Sequence, residues 1–590
     1  MLILVLLWAA LGLLCAGAGL ALMGPSAALF VRPADRLLFA AFLGLAVIGA
    51  VLLAWSLAAP VNPMALVLCA ALALAGVVAQ PAARASVREI LADRSLVTAF
   101  GASLVLAALF AERSTAAGDL NDAGGYHVGI VRWLSEYGTV HGMALVHDRL
   151  GFVSSWLAWS AAFNHGELAG RTGTLMNGFL LLLCLGQLLL VTLRLWRERP
   201  QAPDILALLA WLVLLPPILR WDMRTSPSPD IAMFVFCIVI AWAMLVVESQ
   251  ATSQVAASRA RFMVLLLAAG AFLMKLSGTP LLVAGGLYFV WAQRRGWLPR
   301  LGIAGATCAA FLGLLAAVGL VASGCAFFPW PRLCTELPWS IGRAGAQLTA
   351  DVIRNFALGT LDRPQLQGIE LLADWIKSNS KSARWIAFSL VAAVWLLVRR
   401  KRIDIAGLGW ASAVGAVGVP FLLLTAPAGR FGWGYLILLP LLALLTLRVP
   451  LGEMLFRWVA NPATRRRLGI AVTVVGALHV TLPLYKEFVE SKTRARTHES
   501  IAHRKQGDPM VNAFNAKWWL VPNRYADLPG FAAARAYDFD YSIPPQATSL
   551  CWHHALPCTH VNLENVRLRD ANMGLSAGFE HERAAARTAD

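Results

Sequence analysis

Long runs of apolar residues recur along almost the whole chain, and they constrain its fold more than any other feature. A helix needs roughly 20 apolar residues to cross the hydrocarbon core of a bilayer, and fewer where it is short or tilted. About fourteen runs qualify on this basis: near residues 2–23, 38–59, 64–80, 96–111, 173–195, 204–219, 229–247, 261–274, 279–293, 301–322, 384–399, 404–424, 433–448 and 468–485. We therefore expect an all-α polytopic membrane protein with about fourteen spans.

The composition excludes a water-soluble globule, because 58% of the 590 residues are hydrophobic and only 14% are charged. The first run has no basic residue before it, whereas Arg32 and Arg36 follow it. This arrangement favours an uncleaved anchor with its N-terminus outside over a cleavable signal peptide.

The basic residues of the short loops all fall on one side if the apolar runs alternate across the membrane. They form seven groups: Arg32 and Arg36; Arg84, Arg88 and Arg94; Arg194, Arg197 and Arg199; Arg259 and Arg261; Arg294, Arg295 and Arg300; Arg399, Arg400, Lys401 and Arg402; and Arg465, Arg466 and Arg467. The net charge of +17 is therefore mainly a topology signal, and nucleic-acid binding is not expected. Three long segments, 112–172, 323–383 and 486–590, are predicted to lie outside.

Four of the nine cysteines form two closely spaced pairs in those outer segments, Cys325 with Cys334 and Cys551 with Cys558. An oxidising compartment allows each pair to close a small loop. The other five lie inside apolar runs and are expected to be small packing residues. Because no CxxC ligand pair occurs, cysteine is not expected to bind a metal.

The first outer segment begins with a polar cluster over residues 118–127. Its reactive side chains are Asp119, Asp122, Tyr126 and His127. Polar groups at the mouth of a helix bundle usually serve a ligand or a reaction. Apolar residues at helical spacing over 126–137 predict an amphipathic helix along the membrane surface, and His147 and Arg149 follow it. An interfacial loop with ordinary solvated charges is the alternative.

Charged residues also interrupt later apolar regions on the same predicted side. They are Asp222, Arg224 and Asp230 in one short turn, Lys275 between two apolar helices, and Arg430 in a segment rich in Pro and Gly. An unpaired lysine inside a bundle costs roughly 2.5–3.5 kcal/mol. A charge pair that bridges helix ends is the simpler interpretation of the turn, and the Pro and Gly residues beside Arg430 allow its backbone to shape a pocket rim.

These groups place carboxylates and cations together on one outer surface. The sequence has no Walker loop, no GxGxxG after a strand and no HExxH, so the use of a soluble nucleotide is not expected. Group transfer from a lipid-linked phosphate donor suits the arrangement, because the donor lies in the bilayer and its leaving phosphate needs positive charge. Lys275, Arg224 or Arg430 would hold the phosphate, while a carboxylate takes the proton of an acceptor hydroxyl.

Residues 96–440 resemble the polytopic glycosyltransferases of the GT-C superfamily, which use polyprenyl-phosphate sugars. The resemblance rests on a carboxylate after a span in the first large outer loop, a surface helix, a second acidic turn, a lysine between short helices and a late Arg-aromatic-Pro span. Four stretches are also similar to a group of bacterial membrane proteins with this layout: 122–127, 147–155, 323–329 with 338–340, and 430–434.

The resemblance implies a GT-C-like bundle in the bacterial inner membrane, with its long loops and C-terminus extracytoplasmic. It implies inverting transfer with Asp122 as the general base, and Asp119 competes for that role. It also implies Asp222 or Asp230 as the second acidic position. The candidate substrate- and donor-binding residues are Tyr126, His127, His147, Arg149, Asp222, Arg224, Asp230, Lys275 and Arg430. The implied partners are a polyprenyl-phosphate sugar donor, a lipid or glycan acceptor and membrane lipids, and a divalent metal, Mg or Mn, is left open.

The chain is expected to divide into N-terminal spans (1–95), a GT-C-like core (96–485) and a small outer domain stapled by a disulfide (486–590). A polymerase or ligase of lipid-linked polysaccharides is the second enzyme hypothesis. A flippase or transporter of a glycan or anionic lipid is the non-enzymatic hypothesis, but it predicts midplane charges and an internal repeat that are not apparent. The enzyme hypotheses predict that Asp122, Asp222 or Asp230, Lys275 and Arg430 line one outer cavity.

Overall fold

The protein is described here by a computed structural model, and its helices form a bundle with irregular segments and short strands packed on one end. The described residues are 2–93, 121–197, 200–220, 225–250, 253–293, 295–361, 368–446, 530–546 and 549–582, with isolated residues between 96 and 111 and between 461 and 470.

The helices follow one another in five groups along the chain. The N-terminal helices are α1 (Leu2–Met23), α2 (Pro33–Trp55), α3 (Pro63–Ala79) and α4 (Pro81–Ala92). Short helices follow as α5 (Val128–Glu136), α6 (Met143–Val146) and α7 (Ser155–Phe163). The next group is α8 (Leu175–Arg197), α9 (Ala202–Arg220), α10 (Asp230–Gln250), α11 (Gln254–Met274), α12 (Thr279–Trp291) and α13 (Trp297–Ser323). The fourth group consists of the amphipathic helices α14 (Gly342–Leu358) and α15 (Gly368–Ser378). The fifth consists of α16 (Ser380–Arg399), α17 (Leu408–Thr425) and α18 (Gly429–Thr446).

Within the described part of the chain, ten helices are long and apolar enough to cross a membrane. The bent pair α3 and α4, at 94° to each other, raises the number to eleven if it is counted as one span. Helix α12 is shorter than a full span, and the runs expected near 96–111 and 468–485 lie mostly outside the described residues. The chain is a multi-pass membrane protein, and the count of about fourteen spans stays a prediction.

Helix α10 lies at the centre of the bundle. Every residue from Asp230 to Val247 is buried, and the helix contacts α9, α11, α17 and α18. A helix that is apolar on all sides can be surrounded by lipid or by other helices, and α10 is surrounded by other helices. Because α10 is central, its first residue, Asp230, lies inside the protein at one end of the bundle.

Small residues allow the N-terminal helices to pack closely. A Cβ atom on Gly19 of α1 would lie 1.9 Å from the Ala40 carbonyl oxygen of α2, and one on Gly44 of α2 would lie 1.9 Å from the Cys15 carbonyl oxygen. Such close backbone contact is typical of helix pairs in membranes. Gly270 of α11 contacts α2 in a similar way, which joins the N-terminal helices to the rest of the bundle.

Basic side chains form ion pairs at the end of the bundle away from Asp230. Arg194 Nη1 lies 2.8 Å from Asp204 Oδ1, and Arg261 Nε lies 2.7 Å from Glu248 Oε1. Glu248 lies near the end of α10, whereas Asp230 begins it, so these ion pairs lie at the opposite end of the bundle from Asp230.

The other end of the bundle is covered by three segments, residues 121–172, 324–341 and 530–582, which we call the cap region. Its C-terminal part contains the strands β1 (Ala532–Arg535), β2 (Asp540–Ile543), β3 (Val566–Leu568) and β4 (Phe579–His581). Strands β1 and β2 pair antiparallel, as do β3 and β4. The backbone nitrogen of Phe579 donates to the His141 carbonyl oxygen at 2.8 Å, which attaches β4 to the first segment. The all-α expectation therefore does not extend to this small C-terminal sheet region, whose strands have only three or four residues.

Both predicted disulfides are present, Cys325–Cys334 and Cys551–Cys558, and both lie in the cap region. The other five cysteines are free, as expected from their place in apolar runs.

The surface helix expected over 126–137 is present as α5, but its position differs from the prediction. Ile130, Trp133 and Leu134 are buried within the protein, and the Trp133 ring packs on Phe579 of β4. The apolar face of α5 contacts α7 and the C-terminal strands rather than lipid. A helix that faces lipid and a helix that is covered by a distant segment of the chain have the same sequence pattern. The prediction was wrong on this point for that reason.

Candidate functional site

Four charged side chains from four parts of the chain form a continuous series of ion pairs at the start of α10. Lys275 Nζ donates to Asp230 Oδ1, and Arg430 Nε donates to Asp230 Oδ2 at 3.2 Å. Arg430 Nη2 also donates to Asp122 Oδ2. We call Lys275, Asp230, Arg430 and Asp122 the ion-pair chain. Asp230 is only 3% exposed, so its two cations replace the water that a carboxylate needs.

The turn that carries Lys275 is fixed by a side-chain hydrogen bond and by close backbone packing. Lys275 directly follows α11 in an extended conformation, and a short 3₁₀ turn then leads into α12. Tyr435 Oη donates to the Ser277 carbonyl oxygen at 2.6 Å, which ties this turn to α18. A Cβ atom on Gly278 would lie 2.8 Å from the Ala271 carbonyl oxygen, so the turn requires glycine for this close approach.

Arg430 lies at the start of α18, just before a break in that helix. Gly432 has non-helical φ and ψ angles of −153° and 27°, and a Cβ atom on it would lie 2.8 Å from Leu422 Cδ2. The Phe431 ring lies 5.0 Å from Lys275 Nζ and 5.9 Å from the Arg430 guanidinium carbon. The break therefore places the Arg430 guanidinium and the Phe431 ring beside Lys275. This arrangement agrees with the pocket rim expected from Pro and Gly.

Asp122 precedes a π-helical turn, Ala123–His127, which continues directly into α5. Such turns are rare and occur frequently at functional sites. The rings of Tyr126 and His127 lie 4.2 Å apart, and the Arg149 guanidinium carbon lies 5.6 Å from the Tyr126 ring. Burial raises the pKa of the Tyr126 phenol, and it lowers the pKa of the His127 imidazole to about 4. Both side chains are therefore neutral at pH 7.

The ion-pair chain borders a cavity of about 880 Å³. Its described charged lining residues are Asp122, Arg149, Asp230, Lys275, Arg354 and Arg430. Most of its remaining wall is apolar or aromatic, including Phe152, Leu276, Leu312, Leu315, Phe328, Trp330, Ile353, Phe356, Leu361, Phe421, Leu422 and Phe431. The described lining thus carries four cations against two carboxylates, beside a wall suited to an apolar chain.

A family described as a domain of unknown function, DUF8201, matches residues 1–437. The chain belongs to the DUF8201 family. No curated protein and no solved structure matches it. Every described residue that lines the cavity lies within the part that matches DUF8201, whereas the C-terminal strands lie beyond it.

The structure brings most of the predicted site residues together at this cavity. Those that line it are Asp122, Tyr126, His127, Arg149, Asp230, Lys275 and Arg430. Asp122, Asp230, Lys275 and Arg430 therefore share one cavity, which is the juxtaposition that the enzyme hypotheses require. Asp119, Asp222 and Arg224 lie outside the described residues.

His147 does not line the described cavity. Its Nδ1 accepts a hydrogen bond from the backbone nitrogen of Arg149 at 3.2 Å, and its ring lies 5.1 Å from His560. Burial lowers the pKa of His147 to about 4. In this position, His147 supports the backbone that carries Arg149.

No group of three or more His, Cys, Asp or Glu side chains suited to a metal ion occurs among the described residues. Asp122 and Asp230 are each bound by a cationic side chain instead. Because Asp119 and Asp222 lie outside the described residues, a divalent metal stays a prediction.

Arg354 and Tyr435 are among the residues of the site that were not predicted from the sequence. Arg354 lines the cavity from α14, and the Tyr435 hydroxyl holds the lysine turn. Arg354 gives no sequence signal, because an arginine on an amphipathic helix is typical of any exposed face. Tyr435 lies in an apolar run, where a lone tyrosine usually serves packing.

Proposed function

We propose that this protein is a GT-C-like membrane glycosyltransferase, which moves a sugar from a polyprenyl-phosphate donor to an acceptor in the bacterial cell envelope. The observation that carries the proposal is the ion-pair chain at the edge of a cavity with a largely apolar wall. A donor that combines an anionic head with a long apolar tail matches a cavity that offers both surfaces.

The charge of the cavity favours an anionic head group. Its described lining has two more cations than carboxylates, and the neighbouring His127 is neutral because burial lowers its pKa to about 4. Positive groups placed where charge develops on a leaving phosphate stabilise the transition state. Arg430 and Lys275 are the two cations that lie next to the carboxylates and are assigned to the phosphate.

The proposed reaction is a single displacement with inversion. The acceptor hydroxyl oxygen bonds to the anomeric carbon while the bond between that carbon and the donor phosphate oxygen breaks. The electron pair leaves with polyprenyl phosphate, and Asp122 takes the hydroxyl proton. Arg430 contacts both Asp122 and Asp230, so a phosphate that binds Arg430 would release Asp122 to act as the base.

We also propose that the cavity faces the outside of the bacterial inner membrane. Ion-paired basic residues lie at the opposite end of the bundle, and positively charged loops are retained on the cytoplasmic side. Both disulfides lie in the cap region, and disulfides persist in oxidising compartments.

The test compares Asp122→Asn with a full deletion in the native host, by mass spectrometry of glycans and lipid-linked intermediates. We expect both strains to lose the same glycan and to accumulate its lipid-linked donor. The matched control is Asp351→Asn, because Asp351 is an exposed carboxylate of α14 that does not line the described cavity. The control is expected to keep the glycan.

Unchanged glycans in Asp122→Asn, at normal protein levels, would refute the assignment of the base. Loss of only the longest polymers would favour the polymerase or ligase hypothesis. Accumulation of the donor on the cytoplasmic leaflet in the deletion strain would favour a flippase.

A further inference from the structure

The disulfide loop, residues 551–558, lies directly on the π-helical turn that follows Asp122. The backbone nitrogen of Trp552 donates to the Gly124 carbonyl oxygen at 2.8 Å. The Trp552 ring packs so closely on Gly124 that a Cβ atom there would lie 2.5 Å from ring atom Cε2. Gly124 therefore provides the flat surface on which the indole ring rests.

Further contacts hold the disulfide loop in this position. Trp552 forms a small buried cluster with Ala123 and Val128, which flank the glycines of the turn. Arg132 Nη1 donates to the His553 carbonyl oxygen at 2.8 Å. Trp552 also has a positive φ of 47°, which is rare for a bulky residue and persists only where the surrounding contacts determine it.

The turn that Trp552 contacts is an irregular part of the backbone at the site. A π-helical turn has one extra residue relative to an α-helix, so its register depends on outside contacts more than that of an α-helix does. Asp122 and His127 lie within three residues of Gly124 on either side, so a change in this turn moves both of them.

We propose that the disulfide loop is a positioning element of the cavity, in which Trp552 holds the π-helical turn in the register that places Asp122 beside Arg430. The role in transfer rests on the proposed function, whereas the effect on the turn does not. The C-terminal segment thereby contributes to a site whose described lining lies entirely within the DUF8201 match.

A pair of complementary substitutions tests the packing. Gly124→Ala adds the Cβ atom that overlaps the indole ring, and we expect transfer to fall by about tenfold or more, since small misplacements of catalytic groups cost that much. Trp552→Leu alone is expected to cost less, about threefold. In the double variant, the smaller side chain makes room for the new methyl group, so activity should rise above that of Gly124→Ala alone. Losses that simply multiply would overturn the proposal.

Hydrogen exchange of the purified full-length protein tests the same idea without any substrate. We expect faster amide exchange over residues 121–136 in Trp552→Leu and in the Cys551→Ser, Cys558→Ser double variant, with the core helix α10 unchanged. Tyr537→Ala is the control, because Tyr537 is an exposed aromatic residue of the same segment, 60% accessible. Unchanged exchange over 121–136 would overturn the positioning role even if transfer is found. Faster exchange without any transfer in the wild type would instead retain the positioning contact and reject the proposed function.

Discussion

Asp230→Asn, alone and together with Lys275→Met, separates the structural contribution of the ion-pair chain from its catalytic one. In the native protein, Lys275 donates to Asp230 and is 26% exposed. The single substitution removes the carboxylate that balances this lysine. Arg430 is affected less, because it keeps its contact with Asp122.

The magnitude follows from the burial of the groups involved. An unpaired lysine inside a helix bundle costs roughly 2.5–3.5 kcal/mol. The Phe431 ring, 5.0 Å from Lys275 Nζ, offsets about 0.5–1 kcal/mol of that cost. We therefore expect Asp230→Asn to lower the free energy of unfolding by about 1.5–3 kcal/mol.

Adding Lys275→Met should recover most of that loss, to within about 1 kcal/mol of the wild type, because an apolar side chain of similar length leaves no unpaired charge. The assay is unfolding by SDS in mixed micelles, followed by tryptophan fluorescence. Transfer should be absent in the double variant, because this variant lacks the lysine assigned to the phosphate. The reasoning is refuted if Asp230→Asn unfolds at the same SDS fraction as the wild type, or if Lys275→Met destabilises it further.

Two further predictions follow from the electrostatics of the cavity. Burial lowers the pKa of the His127 imidazole from 6.5 to about 4. The contribution of the neutral imidazole to the free energy of unfolding is therefore complete above about pH 6.5. It is lost as the pH falls towards 4, because over that range the unfolded chain binds a proton that the buried imidazole does not. His127→Asn should therefore flatten part of the decline in unfolding midpoint between pH 7 and 5, and an unchanged slope would contradict this. Arg354→Ala should raise the apparent KM for the lipid donor about threefold, with little change in kcat. It should also reduce the dependence of KM on ionic strength, because Arg354 is a charge at the cavity rim. Steady-state kinetics at two salt concentrations measure both effects, and a fall in kcat alone would exclude a binding role.

The charged residues of the site could be predicted from the sequence, because a charged side chain beside an apolar run carries a high free-energy cost. Asp230, Lys275 and Arg430 each border a run of apolar residues, and a charge in that position needs a partner or a function. Their convergence was a hypothesis, since Asp122 and Arg430 are 308 residues apart in the sequence. The order of the apolar runs predicted which end of the bundle they share, but not which atoms meet.

The cap region shows the limit of the same reasoning. Helix α5 has the pattern of a surface helix, and only the C-terminal segment determines that Trp133 meets Phe579 rather than lipid. Gly124 likewise gives no sign that an indole ring lies on it. Periodicity reports that a face is apolar and not what covers it.

The charged residues could be predicted and the contacts of the cap region could not, and both results have one physical cause. The ion-pair chain is recognisable because desolvation penalises each charge individually, so the signal is present in the local sequence of each residue. The register of the π-helical turn depends instead on the fit between Gly124 and Trp552, which neither local sequence contains. Asp122 belongs to both systems, since it pairs with Arg430 and adjoins that turn. Its position therefore depends on the membrane core and on the cap region together, and substitutions at Trp552 should act on transfer without touching the cavity.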